Sequence, residues 1–103
     1  MNIADIRKDY ALRRLDESDV DADPFKQFHA WLREAIEAQV PEPTAMTLAT
    51  AGASGRPAAR IMLLKALDDR GFVFYTNYAS RKGAEPEARP AAALTFFWKE
   101  LER

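Results

Sequence analysis

The spacing of apolar residues changes once along this chain, at the prolines Pro41 and Pro43. Ahead of them, Phe25, Phe28, Leu32, Ala35, Ile36 and Val40 recur at three- and four-residue steps, one apolar stripe of an amphipathic helix. Asp23-Pro24 marks its start. The Asp23 carboxylate can accept from an unpaired amide of the first turn, and Pro24 suits the first helical position because it lacks an N–H. Pro41 and Pro43 are expected to stop the helix. Upstream, Ile3, Ile6 and Tyr10 carry a weaker helical period over residues 3–12, with Arg7, Lys8 and Asp9 between them. Residues 13–22 are polar and acidic and read as a linker.

After Pro43 the period becomes two. Thr44–Ala51 alternates as a strand, Gly52–Gly55 makes a turn, and Pro57–Ala66 is a second strand. Asp68-Asp69-Arg70-Gly71 is a short hairpin turn with Gly71 suited to a positive φ. Phe72–Asn77 is the third strand. Ser80 can cap a short helix over residues 81–88, Ala91–Trp98 is the fourth strand, and residues 100–103 can begin a fifth. Helical segments followed by antiparallel strands indicate an α+β domain with a barrel-like sheet. Phe72, Phe74, Phe96, Phe97 and Trp98 read most simply as core or interface residues.

At 103 residues this is one domain at most. With no cysteine and only one histidine, His29, neither a disulfide framework nor a zinc cluster is available, so no metal site is expected. His29 itself reads as a surface or satisfied histidine. No apolar run is long enough to span a membrane, and the N-terminus lacks a signal-peptide pattern, so a cytoplasmic location is the default expectation. The net charge of −1 argues against a nucleic-acid binder. The charge is unevenly placed: residues 1–43 carry 6 basic and 10 acidic side chains, residues 44–103 carry 9 basic and 6 acidic. An anionic ligand is favoured in the second part.

Three clusters there could hold one. Arg60 and Lys65 flank Ile61, Met62, Leu63 and Leu64, and charges in such an apolar strand call for a counter-charge, which a phosphate would supply. The simpler alternative is two rim charges whose stems lie on apolar surface. Their opposite parity points them to opposite faces of a regular strand. One ligand could meet both only through a bulge or a backbone contact; otherwise they serve two ligands. Arg81 and Lys82 follow Ser80 at a helix start, where an anion would offset their charge; the alternative is a solvated basic turn. Tyr75 and Thr76 offer a ring face and a hydroxyl, although core packing is the commoner use of such an aromatic.

Together, and in this order, these pieces resemble the pyridoxine/pyridoxamine 5'-phosphate oxidase family. The match takes in Arg7-Lys8-Asp9-Tyr10, Asp23-Pro24-Phe25, Pro43–Met46, Arg60–Lys65, Gly71–Asn77, Ser80–Gly83 and Leu101–Arg103, practically the whole chain. The resemblance implies a split β-barrel working as a homodimer, with FMN held by Arg60, Ile61, Met62, Leu63, Leu64, Lys65, Tyr75, Thr76, Arg81 and Lys82. It implies that Arg7, Lys8, Asp9, Tyr10 and Lys65 meet the substrate. Residues 1–22 would then be a substrate-covering segment with a linker, and residues 23–103 the first part of the barrel domain. The implied reaction oxidises pyridoxine or pyridoxamine 5'-phosphate to pyridoxal 5'-phosphate, with O2 as the acceptor. No general base stands out among these residues.

Two features depart from the family pattern. Pro86 falls inside the expected helix over 81–88, and family members are roughly twice as long, so this chain looks like the N-terminal half of such an enzyme. The alternative to an oxidase is a non-catalytic remnant that binds FMN or pyridoxal phosphate weakly, or only packs against a partner. A different split-barrel flavoprotein is a third possibility, against which the Arg7–Tyr10 segment argues.

Overall fold

A computed structural model describes residues 3–12, 14–75 and 91–103. They form two compact units. The first takes in the chain up to Val40 together with Trp98–Arg103, and the second runs from Pro41 to Phe97.

The first unit is built on helix α1, Pro24–Glu37. Asp23 caps it as expected, its Oδ1 accepting from the Phe25 amide at 2.9 Å. The end differs from the sequence reading. The helix stops before the prolines, at a Schellman turn in which Gln39 adopts φ 58°. The Val40 amide donates to the Ala35 carbonyl and the Gln39 amide to that of Ile36, each at 3.0 Å. Pro41 and Pro43 follow a terminus already closed.

The buried side of α1 is narrower than the predicted stripe. Ala35 and Val40 are buried and Phe28 and Leu32 half-buried, whereas Phe25 and Ile36 are exposed. The Phe28 ring lies 5.8 Å from that of Trp98, which is buried. Residues 3–12 are not an extended helix; only Ile3–Asp5 forms a 3-10 turn. Nor is 13–22 a featureless linker. Glu17–Asp19 is a 3-10 turn closed by a reciprocal capping box between Asp16 and Asp19.

The tail of this unit reverses direction. Instead of beginning a strand, Lys99–Leu101 is a 3-10 turn and Glu102 takes the left-handed conformation, φ 54°. The reversal lets Trp98 and Arg103 exchange both backbone hydrogen bonds, at 2.8 and 3.3 Å. The fourth predicted strand accordingly ends at Thr95 rather than Trp98.

In the second unit, strands β1 (Ala45–Ala51), β2 (Pro57–Leu63) and β5 (Ala91–Thr95) form an antiparallel sheet in the order β2-β1-β5. Strands β3 (Ala66–Asp68) and β4 (Gly71–Val73) form a separate hairpin. The described strands do not close into a barrel. Gly55 and Gly71 hold φ of +76° and +118°, as the two turns require. Asp68 organises the hairpin turn: its Oδ1 accepts from the Arg70 amide at 2.8 Å and its Oδ2 from the Arg70 guanidinium at 2.9 Å.

Opposed residues of an antiparallel ladder share a face. One face carries Met46 and Leu48, both buried, together with half-buried Met62 and Leu94 and exposed Arg60. The other face carries Ala45, Thr47 and Ala49 with Leu63, Ile61 and Ala59. It is more open: Ile61 is 70% exposed and Leu63 42%.

Candidate functional site

The single strand expected over Pro57–Ala66 is two. The ladder of β2 with β1 ends at Leu63, and the chain changes partner over Leu64 and Lys65. The Leu64 amide still donates to Thr44, beside β1, at 2.9 Å. The next amide, that of Lys65, donates to Val73 of β4 at 2.8 Å. This junction bears on the parity question. Arg60 and Met62 share one face of β2 and Ile61 and Leu63 the other, but Lys65 lies past the end of that ladder, so strand alternation no longer fixes its direction.

The expectation of a buried strand is corrected as well. In the described residues β2 is an edge strand, and Arg60, Ile61, Leu63 and Lys65 are exposed. Met62 is half-buried and Leu64 buried. An edge strand has a neighbour on one side only, so its cations need no counter-charge to escape burial. Among the described residues no carboxylate pairs with Arg60 or Lys65.

Strand β4 ends at Val73, so Phe74 and Tyr75 lie beyond the ladder rather than within the longer third strand expected. Tyr75 is 72% exposed and does not pack in a core. It follows Val73, the partner of Lys65, by two residues. The structure therefore places Arg60–Lys65 and Tyr75 on adjoining segments of one unit. Thr76, Arg81 and Lys82 lie outside the described residues, as do Ser80 and Pro86 and the helix expected over 81–88.

Arg7, Lys8, Asp9 and Tyr10 belong to the other unit. Arg7 pairs with Asp9 at 2.7 Å, both exposed, and Tyr10 is 49% exposed. Lys8 pairs with Glu102 at 3.3 Å. Sequence reasoning gave Glu102 no role beyond its place in the matched Leu101–Arg103 stretch, yet it is a hub. Its Oε1 accepts from the amides of Ala11 at 2.7 Å and Leu12 at 3.1 Å. The Ala11 amide, followed by Leu12 and Lys8, holds the Glu102 carboxyl below the usual carboxylate range, against a smaller upward push from burial. Periodicity carries no signal for such a role, because the partners lie about 90 residues away in the chain.

The same unit forms a cleft of about 900 Å³ lined by Arg14, Leu15, Val20, Gln27, Trp31 and Arg103 among others. The Arg103 guanidinium sits 4.9 Å from the centre of the Trp31 ring and 3.6 Å from the Glu34 carboxylate. None of the predicted site residues lines this cleft. Among the described residues no cluster of His, Asp or Glu could hold a metal ion, and no helix is long and apolar enough to cross a membrane.

Comparison with known proteins places these features in a family. The family model described as Pyridoxamine 5'-phosphate oxidase matches residues 32–103. A pyridoxine/pyridoxamine 5'-phosphate oxidase of Thermosynechococcus vestitus is 62% identical over 101 residues, covering 98% of this chain and 48% of the relative. One from Paraburkholderia phymatum is 61% identical with the same coverage. Among solved structures, PhzG from Burkholderia lata 383, in complex with tetrahydrophenazine-1-carboxylic acid, matches with a TM-score of 0.70 at 34% identity. That match covers 84% of this chain and 44% of PhzG. The chain thus spans about half the length of the curated relatives it matches. By the family match over residues 32–103, this chain belongs to the pyridoxamine 5'-phosphate oxidase family.

Proposed function

We propose that this chain supplies the FMN-binding half of a pyridoxine/pyridoxamine 5'-phosphate oxidase with a split-barrel fold. The observation that carries this reading is the 62% identity, along almost the whole chain, to a protein of that name. The local chemistry supports it. Arg60 and Lys65 are exposed cations with no acidic partner among the described residues; exposed Ile61 and Leu63 lie on the face of β2 opposite Arg60, and exposed Tyr75 follows β4. Exposed cations on the same short segments as apolar and aromatic side chains suit a ligand that is flat and aromatic at one end and phosphorylated at the other.

In this reading Arg60, Ile61, Met62, Leu63, Leu64, Lys65, Tyr75, Thr76, Arg81 and Lys82 hold FMN. The cations bind its phosphate, and the apolar side chains exclude water around its ring. FMN supplies the two-electron redox chemistry that no side chain here provides. Lys65 also meets the substrate phosphate. Residues 1–22 cover the substrate through Arg7, Lys8, Asp9 and Tyr10, and residues 23–103 begin the barrel. The remaining protein tasks are positioning and exclusion of water, which bring the substrate's reacting carbon to the cofactor. Oxidation of pyridoxine or pyridoxamine 5'-phosphate to pyridoxal 5'-phosphate, with O2 as acceptor, follows in the assembled enzyme. A homodimer in the cytoplasm is the expected form.

The chain spans 48% of that relative's length, and a second reading stands beside the first. In it the chain is non-catalytic, binding FMN or pyridoxal phosphate weakly or only packing against a partner. Titration with FMN, followed by quenching of flavin fluorescence, separates the two. Saturable binding at micromolar concentration or tighter is the expected result. A folded chain that leaves FMN fluorescence unchanged would overturn the cofactor site and leave the second reading.

A further inference from the structure

The N-terminal segment that carries Arg7–Tyr10 has little apolar packing to hold it. Residues 3–12 and 14–22 are all exposed, and the only regular structure in them is two three-residue 3-10 turns. Such a segment opens locally at small cost unless something fastens it. Polar contacts from Glu102 converge on it. Both carboxylate oxygens are engaged: Oε1 with the neighbouring amides of Ala11 and Leu12, at 2.7 and 3.1 Å, and Oε2 with the Lys8 ammonium at 3.3 Å. The Glu102 side chain is only 14% exposed, although it belongs to a surface turn.

The backbone tells the same story. Glu102 holds φ 54° and ψ 45°, a left-handed conformation disfavoured for any residue with a Cβ and ordinarily given to glycine or asparagine. A residue kept in that region is held by its surroundings, and such positions point to a role. The side-chain chemistry is selective too. A carboxylate only accepts hydrogen bonds, and all three partners only donate. Glutamine would bring an NH2 group against either the paired amides or the Lys8 ammonium. Aspartate is one methylene shorter.

We propose that Glu102 is a positioning residue: a latch that fastens the Lys8–Leu12 strap to the Trp98–Arg103 turn and so presents Arg7–Tyr10 in one arrangement. The latch stands on the contacts themselves. Its consequence for catalysis rests on the reading that Arg7–Tyr10 covers the substrate. Residues nearly at opposite ends of this chain are thereby joined, and the strap is held by charge and hydrogen bonding rather than by apolar burial. Its docking is reversible for that reason, because each contact can be exchanged for water.

Backbone amide hydrogen exchange of the 103-residue chain tests this. In Glu102→Gln, exchange at Ala11 and Leu12 should quicken at least about tenfold, the loss of a charge-assisted acceptor. Exchange at Val40, whose amide is bonded to Ala35 in the helix terminus, should stay as it is. Lys8→Met should quicken Ala11 and Leu12 less, because both amide bonds remain. Glu100→Gln, at an exposed position of the same turn, should change neither. Unchanged exchange at Ala11 and Leu12 in Glu102→Gln would overturn the latch. So would a parallel rise at Val40 in both Glu102→Gln and Glu102→Ala, since Glu102 would then support the whole unit rather than the strap. A second arm adds FMN and pyridoxine 5'-phosphate to the wild-type chain and reads the amides of Lys8, Asp9 and Tyr10. Slower exchange there supports covering of the substrate. No change, with the latch intact in the first arm, overturns the covering role alone.

Discussion

Single charges define what this chain can grip. Arg60 and Lys65 stand exposed without carboxylate partners among the described residues, whereas Arg70 is tied to Asp68 at 2.9 Å. Arg60→Ala or Lys65→Ala should therefore weaken FMN roughly tenfold to a hundredfold, the range for a charge-assisted bond, while Arg70→Ala leaves it unchanged. Equal losses from all three, read by flavin fluorescence, would reduce the effect to net charge. Arg81→Ala and Lys82→Ala in a full-length relative should likewise cost more FMN affinity than Lys99→Ala. Glu102 carries a pH signature. Its folded carboxyl titrates below the ordinary range because Ala11, Leu12 and Lys8 favour the charged form. The latch is then fully present above the ordinary carboxylate pKa and is lost as pH falls through the lowered folded value. Protection of the Ala11 and Leu12 amides should decay in acid below the ordinary carboxylate range, and a decay centred on neutrality would point to another group.

Elements follow from local chemistry where one residue dictates one geometry. Asp23→Ala should destabilise the first unit by about 1 kcal/mol in urea denaturation, through loss of the bond to the Phe25 amide. Leu48→Ala, at a position 3% exposed, should cost about 2–5 kcal/mol. The start of α1, strand β1 and the positive φ at Gly71 were legible in the sequence, because Asp-Pro, period-two alternation and glycine each have few structural uses. The end of α1 was not. Its left-handed residue is Gln39, which carries none of glycine's signal, and the prolines beyond it drew the boundary too late. The split between β2 and β3 was also hidden, since Ile61–Leu64 is an unbroken apolar run and only the change of hydrogen-bond partner separates its ladders. Within the candidate site, residue types were readable but exposure was not. Arg60 and Tyr75 are exposed because the β2 edge and the segment after β4 leave them so, and neither fact is local.

At the scale of the molecule, β2 is an edge strand among the described residues, and its sheet has a face bearing exposed Ile61 and Leu63. Surfaces of this kind pair with other chains. The 103-residue chain should therefore sediment and scatter light as a dimer or larger species at micromolar concentration, and a clean monomer would count against the proposed homodimer. The switch of partners between Leu64 and Lys65 has a separate consequence. Adjacent amides there report on two different ladders, so a boundary between ladders runs through the Arg60–Lys65 segment. A ligand clasped by Arg60 on one side and Lys65 on the other would act as a splint across that boundary. Cofactor loading would then show first as mechanical coupling: two hairpins that melt separately without it would melt together once it is bound.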